Sequence, residues 1–594
     1  MTIRSLVDPE QYIGTVTFVG PATIQANLPH ATARPERRRF AQGAVGDFVF
    51  VDCEQIKLLG RIVEVRIPDA ERLTIEPSLG SQPEPHPIGR IQLLATIDQA
   101  SQRLQRGLKV HPRVGDGVYL AGGGLFAELV SNTTNERDDV ALELGTLNVE
   151  GGVLLKLSAE KIFGRHCGVL GATGGGKSWT IATLLRQIKA SGGRALLFDP
   201  TGEFADIPEI SKHYTFNESE GSAGIVHFPY RSMTEDDLFA LFRPSGQSQG
   251  PKLRDAIRSL KLVDAANGVA VAGVSITPQG LVHKQFQTRR PFYQAVSNTY
   301  GVRVNSPLCA FEIENLPQQI FYECVYATDN RNSRPLNWGD VDGNTVGYCE
   351  TLASRIRTMI HSAELACLFQ KQGTSLVQVL DIFFATDDDD IVRISFKNVR
   401  FEHHTREILL NIIGRYLLDR ARQGVFRDRP LIAMLDEAHQ FLGRTVGDEY
   451  ANVYLDAFGL IAKEGRKYGL SCLLATQRPR DIPADVLSQL GTLIVHRLTN
   501  DNDRETVERA CGDLDRNAAM FIPTLAPGEA ILIGPDIPAP VPLLINRPPK
   551  PPNSKGPPFR EYWTKRSTAK AGTKTAALKK LTPRSAAVRG DAPS

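Results

Sequence analysis

The chain has 594 residues, of which 42% are hydrophobic and 23% are charged, so it is long enough for several globular domains and is neither disordered throughout nor fibrous. Its eight cysteines include no CxxC pair, which argues against a disulfide framework or a zinc ribbon and favours free thiols in a reducing compartment. The formal net charge of +3 is unevenly spread, because residues 547–594 carry twelve Lys or Arg and two Asp or Glu.

Neither end of the chain carries a membrane signal. No basic stretch followed by an apolar run opens the sequence, and no run of about 18 apolar residues occurs in it. We therefore expect a cytoplasmic protein without a membrane partner. The Pro-rich, basic residues 547–594 predict a flexible tail, which either contacts nucleic acid or an acidic partner or is a solvated terminus that aids solubility.

Residues 1–143 read as short β segments separated by Gly, Pro and charged residues. Six strands at this spacing predict a small barrel or sandwich. Residue types that carry catalysis do not cluster here, so we interpret the region as an assembly or docking module. The predicted strands are 12–18, 22–28, 47–52, 58–66, 90–96 and 117–120.

From about residue 144 strands alternate with helices, which predicts an α/β domain with a parallel sheet. The pattern covers 144–206 and 391–546, and the interval 207–390 is helical and irregular, as in an insertion. The predicted strands are 166–170, 194–198, 391–396, 431–435, 471–475 and 493–498, and the predicted helices are 177–189, 252–262, 349–369, 405–423 and 455–467.

A glycine-rich motif lies between the first strand and the first helix of this domain. It fits GxxxxGK[ST], and its glycines allow backbone N–H groups to surround a polyphosphate at a helix N-terminus. Lys177 would contact the β and γ phosphates and Ser178 would bind Mg²⁺. The sequence thus predicts an ATP site with Mg²⁺. Its members are Gly171, Ala172, Thr173, Gly174, Gly175, Gly176, Lys177 and Ser178.

Two carboxylates follow the apolar run of residues 431–435, which is typical of a buried parallel strand. Asp436 is predicted to reach the Mg²⁺ shell and to bind the nucleotide through it. Glu437 is predicted to orient or deprotonate the attacking water. A similar short strand ends at Gln477, which could hydrogen-bond the γ-phosphate or that water. Before it, a helix closes with Arg466 and Lys467, which also fits ordinary helix capping.

The motifs GATGGGKS, LIAMLDEAH, EGRKYG and ATQRP follow one another in this order, with DPTGE at residues 199–203 and PGEA at residues 527–530. Over residues 144–546 the chain resembles the HerA family of hexameric ATPases, within the HerA/FtsK group of RecA-like motors. The resemblance implies an α/β, RecA-like P-loop NTPase core, a small N-terminal β-barrel of the HAS type, a helical insertion and a C-terminal segment that braces the neighbouring subunit.

The resemblance also implies roles for single residues. Arg466 would enter the site of the neighbouring subunit and stabilise charge on the transferring phosphoryl group, with Arg165 and Arg478 as weaker candidates. The other implied roles are nucleotide binding for Lys177, Mg²⁺ and nucleotide binding for Ser178, metal binding for Asp436, catalysis for Glu437 and a polar sensor for Gln477.

Such a ring is expected to thread duplex DNA and to grip it through its phosphates. The resemblance therefore implies a hexameric DNA translocase or helicase that works with a separate nuclease or other effector, docked on the N-terminal barrel, in DNA end processing or anti-phage defence. Two alternatives stay open. One is a ring scaffold that activates an effector, with nucleotide as a structural ligand. The other is a conjugation-type coupling ATPase, which the lack of predicted membrane spans disfavours.

Two further patterns predict no function. The acidic run of residues 386–390, with His403 and His404 nearby, could hold a metal but is more typical of an acidic loop and of polar positions where a helix starts. The interval 207–390 does not interleave basic and aromatic residues in the way that marks a nucleic-acid stacking surface. The sequence therefore predicts no individual DNA-contacting residue.

Overall fold

The computed structural model describes residues 8–29, 31, 43–54, 56–67, 87–98, 103–131, 140–147, 152–329, 336–387, 390–446, 453–511, 519–535, 537, 539–554, 556 and 559. The chain divides into two units, Met1–Pro552 and Asn553–Ser594, and the architecture below is that of the first. Most of the predicted basic tail lies outside the described residues.

Six strands near the N-terminus close into a barrel. Their order is β2-β1-β7-β3-β4-β5, the pairing of β5 with β2 completes the circle, and β6 extends the sheet beside β5. Alternate side chains point inward, as expected for strands with one buried face. The strands are β1 (Tyr12–Val19), β2 (Thr23–Asn27), β3 (Phe48–Cys53), β4 (Ile56–Arg66), β5 (Ile88–Asp98), β6 (Arg103–Arg106) and β7 (Gly117–Leu120).

Close backbone contact inside the barrel and aromatic contacts outside it fix this domain. A Cβ on Gly14 would lie 1.7 Å from the carbonyl oxygen of Asn27, so β1 and β2 can approach only without a side chain there. On the outer face, Phe48 stacks on Phe126 with ring centroids 4.2 Å apart. The guanidinium of Arg61 lies 3.9 Å from the ring centroid of Phe521. These two contacts fasten the barrel to the core domain.

The core is a thirteen-stranded sheet of order β14-β13-β12-β15-β11-β16-β19-β10-β20-β21-β22-β8-β9. From β14 to β20 neighbouring strands are parallel, and from β20 to β9 they are antiparallel. The strands are β8 (Ala141–Leu147), β9 (Leu154–Ser158), β10 (Cys167–Leu170), β11 (Arg194–Asp199), β12 (Lys212–Thr215), β13 (Gly224–His227), β14 (Thr374–Ser375), β15 (Ile391–Ser395), β16 (Leu431–Leu435), β19 (Leu470–Thr476), β20 (Thr492–His496), β21 (Glu529–Ile533) and β22 (Val541–Ile545). A separate hairpin joins β17 (Arg444–Val446) and β18 (Val453–Leu455).

The helices pack against this sheet or form the insertion. Among the described residues no helix combines the length and the apolar character needed to cross a bilayer. The helices are α1 (Gly123–Ser131), α2 (Ala159–Phe163), α3 (Lys177–Ala190), α4 (Glu235–Phe242), α5 (Gln249–Ala266), α6 (Arg290–Thr299), α7 (Gly301–Val304), α8 (Leu316–Tyr322), α9 (Gly343–Ile360), α10 (Ala366–Phe369), α11 (Leu376–Ala385), α12 (Thr405–Arg422), α13 (Ala457–Glu464), α14 (Ala484–Leu487) and α15 (Asp501–Cys511).

The predicted fold class is confirmed: an α/β P-loop core follows a small N-terminal β-barrel. The core sheet nevertheless reaches beyond the segments 144–206 and 391–546, because β8 starts at Ala141 and β12, β13 and β14 lie within 207–390. The strands β12 and β13 have four residues each and are partly exposed at one side of the sheet. Such strands lack the continuous apolar run by which buried strands are recognised.

Two predicted helices differ in detail from the structure, and one short strand was not predicted. The predicted helix 349–369 is wrong as one helix: α9 ends at Ile360, and a 3₁₀ turn separates it from α10, with the Ser362 side chain accepting from the N–H of Glu364. The predicted helix 455–467 ends earlier, since α13 stops at Glu464 and a 3₁₀ turn follows. The strand β6 was not predicted, because its four residues are mostly polar.

A buried ion pair organises the insertion. Lys284 and Glu323 pair at 6% and 1% side-chain exposure, and Ser259 and Gln319 donate hydrogen bonds of 2.7 and 2.8 Å to the same carboxylate. The Lys284 ammonium also lies 4.3 Å from the ring centroid of Tyr293. The carboxylate is thus held by three donors, which is the condition under which a buried pair is tolerated.

Removing one partner of this pair should destabilise the protein strongly. We expect Lys284→Met to cost about 3–5 kcal/mol, because Glu323 stays buried without its counter-ion. The double variant Lys284→Met/Glu323→Gln should recover most of that loss. Urea unfolding followed by tryptophan fluorescence measures both. The exposed pair of Arg509 and Glu505 supplies the control, since Arg509→Ala should cost under about 1 kcal/mol. A double variant no more stable than Lys284→Met would contradict this account.

Candidate active site

The glycine-rich loop joins β10 to α3 and is held by backbone contacts on both sides. The N–H of Gly171 donates to Thr476 O at 3.2 Å, and that of Ala172 donates to Arg497 O at 2.8 Å. Gly174 and Gly176 have φ values of 75° and 126°, which a side chain would oppose. The loop therefore has a fixed curvature, with the N-terminus of α3 at its end, as an anion site requires.

The C-terminal strands support this loop from below through His496. Its Nε2 lies 2.8 Å from Thr180 Oγ1 and its Nδ1 lies 2.8 Å from the carbonyl oxygen of Glu529, so Nδ1 carries the proton and Nε2 accepts one. Burial, with a smaller contribution from the charge of the nearby Lys177, lowers the pKa of His496 to about 4, although the hydrogen bond to the Glu529 carbonyl raises it. A neutral imidazole thus fills the space beneath Gly176, where a Cβ would lie 3.0 Å from its Cε1.

Two acidic residues follow β16 beside the loop. The register Phe198↔Leu435 places Asp436 next to the end of β11, and the N–H of Asp436 donates to Phe198 O at 3.2 Å. Burial raises the pKa of Asp436 well above its ordinary value, and the charges of Glu437, Asp199 and Glu203 raise it further, opposed by Lys177. Glu437 has a left-handed backbone with φ 46°, a conformation that non-glycine residues keep mainly where the surroundings impose it.

A third carboxylate, Glu203, was not predicted as a site residue. It accepts a hydrogen bond of 2.9 Å from Ser178 Oγ. Burial raises the pKa of Glu203, Ser178 and Lys177 lower it, and Asp199 and Glu437 raise it. Glu203 is the last residue of the DPTGE motif. The motif alone does not assign it to the site, because the contact depends on the turn after β11 facing α3.

The turn that carries Glu203 is itself clamped. The Asp199 carboxylate accepts from the N–H groups of Gly202 and Phe204 at 2.8 and 3.1 Å. It also pairs with Arg393 at 2.7 Å, and both side chains are at most 1% exposed. Gly202 has φ 84° and Phe204 is fully buried. Glu203 therefore lies between two fixed residues, which sets the direction of its carboxylate.

This arrangement fits a divalent cation. Asp436 Oδ1 is buried and has no hydrogen-bond partner among the residues that the structure describes. The charge of Glu437 raises the pKa of Asp436 and the pKa of Glu203, and a cation would relieve that repulsion. No three His, Cys, Asp or Glu side chains of the described part form a metal cluster. Ser178 and Asp436 could therefore hold Mg²⁺ only with ligands from a nucleotide or water, as is usual for this ion.

Gln477 reaches the loop from the neighbouring strand. The register Leu170↔Thr476 brings the end of β19 beside the start of the loop, and Thr173 Oγ1 donates to Gln477 Oε1 at 2.5 Å. The structure thus brings Gln477 together with the loop, Ser178, Asp436 and Glu437 at one edge of the sheet.

Arg466 lies at the opposite edge. It lines a cavity of about 960 Å³ together with Arg165, and with Arg194 and Leu431 at the amino ends of β11 and β16. Arg478, in contrast, follows Gln477 at the carboxyl edge, with 58% of its side chain exposed and Asp481 at 3.8 Å. Within one chain, Arg466 and Arg165 are therefore separated from the loop by the length of the parallel strands.

These features define the core as that of a P-loop nucleoside triphosphatase. The family described as "Helicase HerA, central domain" matches residues 142–287, and "Helicase HerA-like C-terminal" matches residues 423–549. The chain belongs to the HerA family of ATPases.

Two relatives and one solved structure illustrate what this chain is similar to. A probable helicase of Methanocaldococcus jannaschii is 24% identical over 523 residues, covering 85% of this chain and 86% of that protein. The DNA double-strand break repair helicase HerA of Pyrococcus furiosus is 26% identical over 439 residues, covering 72% of each. The structure of the bacterial conjugative coupling protein TrwB is similar with a TM-score of 0.42 and 14% identity, covering 74% of this chain and 94% of that one.

The buried imidazole beneath the loop should make stability depend on pH. The pKa of His496 falls from an ordinary 6.5 to about 4 in the folded chain, so the unfolded state binds a proton more readily. Stability should therefore drop as the pH falls below 6.5 and level off near 4. The stability advantage of the wild type over His496→Gln should shrink by roughly 3 kcal/mol across that range. Urea unfolding at a series of pH values measures the difference, and a constant difference would contradict the assignment.

Proposed function

We propose that this chain is an ATP-driven DNA translocase or helicase. The observation that carries the proposal is that the phosphate loop lies beside the carboxylates of Asp436 and Glu203. The charge of Lys177 lowers the pKa of both carboxyl groups, and the charge of Glu437 raises it. A triphosphate on the loop would therefore face the carboxylates needed to bind Mg²⁺ and to activate water. The relatives named as DNA double-strand break repair helicases support DNA as the substrate.

Each residue has one task in this proposal. Lys177 and the N–H groups of Thr173, Gly174 and Gly176 bind the phosphates, and Ser178 and Asp436 bind Mg²⁺, which neutralises charge on the β and γ phosphates. Glu437 accepts the proton of the attacking water. Gln477, already hydrogen-bonded to Thr173, orients that water or the γ-phosphate.

Glu203 positions the serine ligand. Because the Ser178 hydroxyl donates a hydrogen bond to Glu203, its oxygen lone pairs are free to face a cation on the other side. The buried pair of Asp199 and Arg393 holds the turn in place. Glu203 is thus a positioning residue that acts on the metal through Ser178.

Assembly into a hexameric ring would complete the site. Arg466 and Arg165 line the amino edge of the sheet, where they would serve a neighbouring subunit rather than their own. A cation supplied in this way stabilises the charge of the transition state. The N-terminal barrel would dock a separate nuclease or other effector, for which the exposed Phe18 on β1 offers an apolar contact, in DNA end processing or anti-phage defence.

Two other functions predict different behaviour. In a ring scaffold the nucleotide would act as a structural ligand, so turnover would be dispensable. In a conjugation-type coupling ATPase the motor would work at a membrane, and the described residues contain no helix suited to cross one. The clustered carboxylates favour turnover over mere binding, because nucleotide binding alone has no use for the partly buried Glu437.

Glu437→Gln should abolish turnover and keep ATP binding. The amide preserves the size of the side chain and cannot accept the proton of the attacking water, so we expect kcat to fall at least about 100-fold. A fluorescent ATP analogue measures binding, phosphate release measures turnover, and strand displacement or triplex displacement measures movement on DNA. Glu505→Gln, on the exposed face of α15, is the matched control. Effector activation that survives in Glu437→Gln without ATP turnover would instead support the scaffold.

Glu203→Gln should weaken the contribution of Mg²⁺ to nucleotide binding. We expect unchanged affinity for the ATP analogue in EDTA and a rise of about 10–100-fold in the Mg²⁺ concentration needed for tight binding. Titration of Mg²⁺ at fixed nucleotide measures this without any turnover. Asp206→Asn, at an exposed carboxylate three residues further on, is the control. Equal Mg²⁺ dependence in Glu203→Gln and wild type would remove Glu203 from this role.

A further inference from the structure

The loop between β15 and α12, residues 397–404, lies at the same edge of the sheet as the phosphate loop. Its start is fixed by the N–H of Phe396, which donates to Asp199 O at 2.8 Å. A Cβ on Gly202 would lie 2.8 Å from Lys397 Cδ, so the Lys397 side chain packs against the turn that carries Glu203. This loop is therefore in contact with the nucleotide side of the molecule.

An exposed aromatic ring is mounted on this loop. Phe401 is 63% exposed, and the guanidinium of Arg406 lies 3.9 Å from its ring centroid. Arg406 is itself buried, and it donates to the carbonyl oxygens of Val399 and Lys397 at 2.5 and 3.2 Å. One face of the Phe401 ring therefore packs on a fixed guanidinium, while most of the ring is exposed to solvent. This support distinguishes Phe401 from the single apolar side chains that are common on protein surfaces.

The backbone beside the ring is strained. His403 and His404, which are not glycines, have φ values of 57° and 55° in succession. Left-handed backbone is unfavourable for such residues and persists where the surroundings impose it, which is frequent at ligand contacts. The loop therefore keeps one conformation at a cost in backbone strain energy. The hydrogen bonds from Arg406 to the loop carbonyls stabilise that conformation.

The loop is also positively charged. Residues 397–406 contain three Lys or Arg and one Glu. Arg400 is 63% exposed and pairs with Glu364 at 2.5 Å across the surface. Exposed pairs of this kind contribute little and exchange readily for another anion. Lys397 is exposed as well. Cations beside an aromatic face are the combination by which proteins hold a nucleic-acid strand without reading its sequence.

We propose that residues 397–404 form a DNA-contacting loop, in which Phe401 packs its free face on a base and Arg400 and Lys397 bind the adjacent phosphates. The inference rests on the proposed function, since it takes DNA as the ligand. It adds the residues that grip the strand and places them beside the turn of Glu203. In the sequence, basic residues flank the phenylalanine in KNVRFEHHTR, which follows the interval 207–390.

The experiment compares single substitutions in the full-length protein, with fluorescence anisotropy on a labelled duplex that carries a single-stranded extension. Phe401→Leu keeps an apolar side chain that fills the same space and removes the aromatic face, so we expect DNA affinity to fall at least about five-fold. Phe401→Tyr should restore affinity to near the wild-type value. Tyr348→Ala, at a tyrosine on α9 that is 62% exposed, is the control and should bind as the wild type does.

A second measurement tests the charges. Arg400→Ala should lower the slope of log affinity against log salt by about one, because one phosphate contact is lost. Unfolding midpoints of the Phe401 and Arg400 variants equal to that of the wild type show that the fold is kept. If Phe401→Leu and Arg400→Ala bind DNA as tightly and with the same salt slope as Tyr348→Ala, the loop is not the contact. If the wild type binds no DNA at all, the proposed function itself fails.

Discussion

The constraint on which the site depends is the parallel alignment of β10, β11, β16 and β19. Because these strands run in one direction and lie side by side, the chain leaves each of them at the same edge of the sheet, with the phosphate loop, Asp199, Asp436 and Gln477 in a row. Acidic side chains are thereby brought together, and their charges, with burial, raise the pKa of Asp436. Lys177 opposes this shift, and a divalent cation bound with a nucleotide would offset the negative charge further.

Arg393 extends that constraint sideways. It is 1% exposed in the middle of the sheet and pairs with Asp199 at 2.7 Å and with Glu220 at 3.0 Å. Through Asp199 it fixes the turn of Glu203, and through its position on β15 it belongs to the strand that leads into residues 397–404. Changes at the Ser178 end of this series and contacts at the Phe401 end therefore act on one rigid element, which gives nucleotide binding and a ligand at the loop a physical route to each other.

The sequence specified the parts of the site that are contiguous. The phosphate loop and Asp436 follow apolar runs that are typical of buried parallel strands, so the spacing of the motifs was enough to predict them as site residues. Glu203 was not predicted as a site residue because its hydrogen-bond partner, Ser178, is 25 residues away in the chain. Only the turn after β11 brings the two side chains together. The strands β12 and β13, near one edge of the sheet, were not predicted because they are short and partly exposed. Phe401 was not predicted, although basic residues flank it in the sequence, because only the fold shows that the buried Arg406 supports its ring.

The distribution of arginines bears on what one chain can do alone. At the carboxyl edge Lys177 lies at the phosphate loop and Arg393 is already paired with Asp199, whereas Arg466, Arg165, Arg194 and Arg429 line the cavity at the amino edge. A transferring phosphoryl group gains negative charge on its outer oxygens, which a single lysine on the β and γ phosphates does not neutralise fully. Two copies arranged amino edge to carboxyl edge would bring the missing charge to the nucleotide. Repetition of that head-to-tail contact closes a ring when the rotation between copies is a whole fraction of a turn.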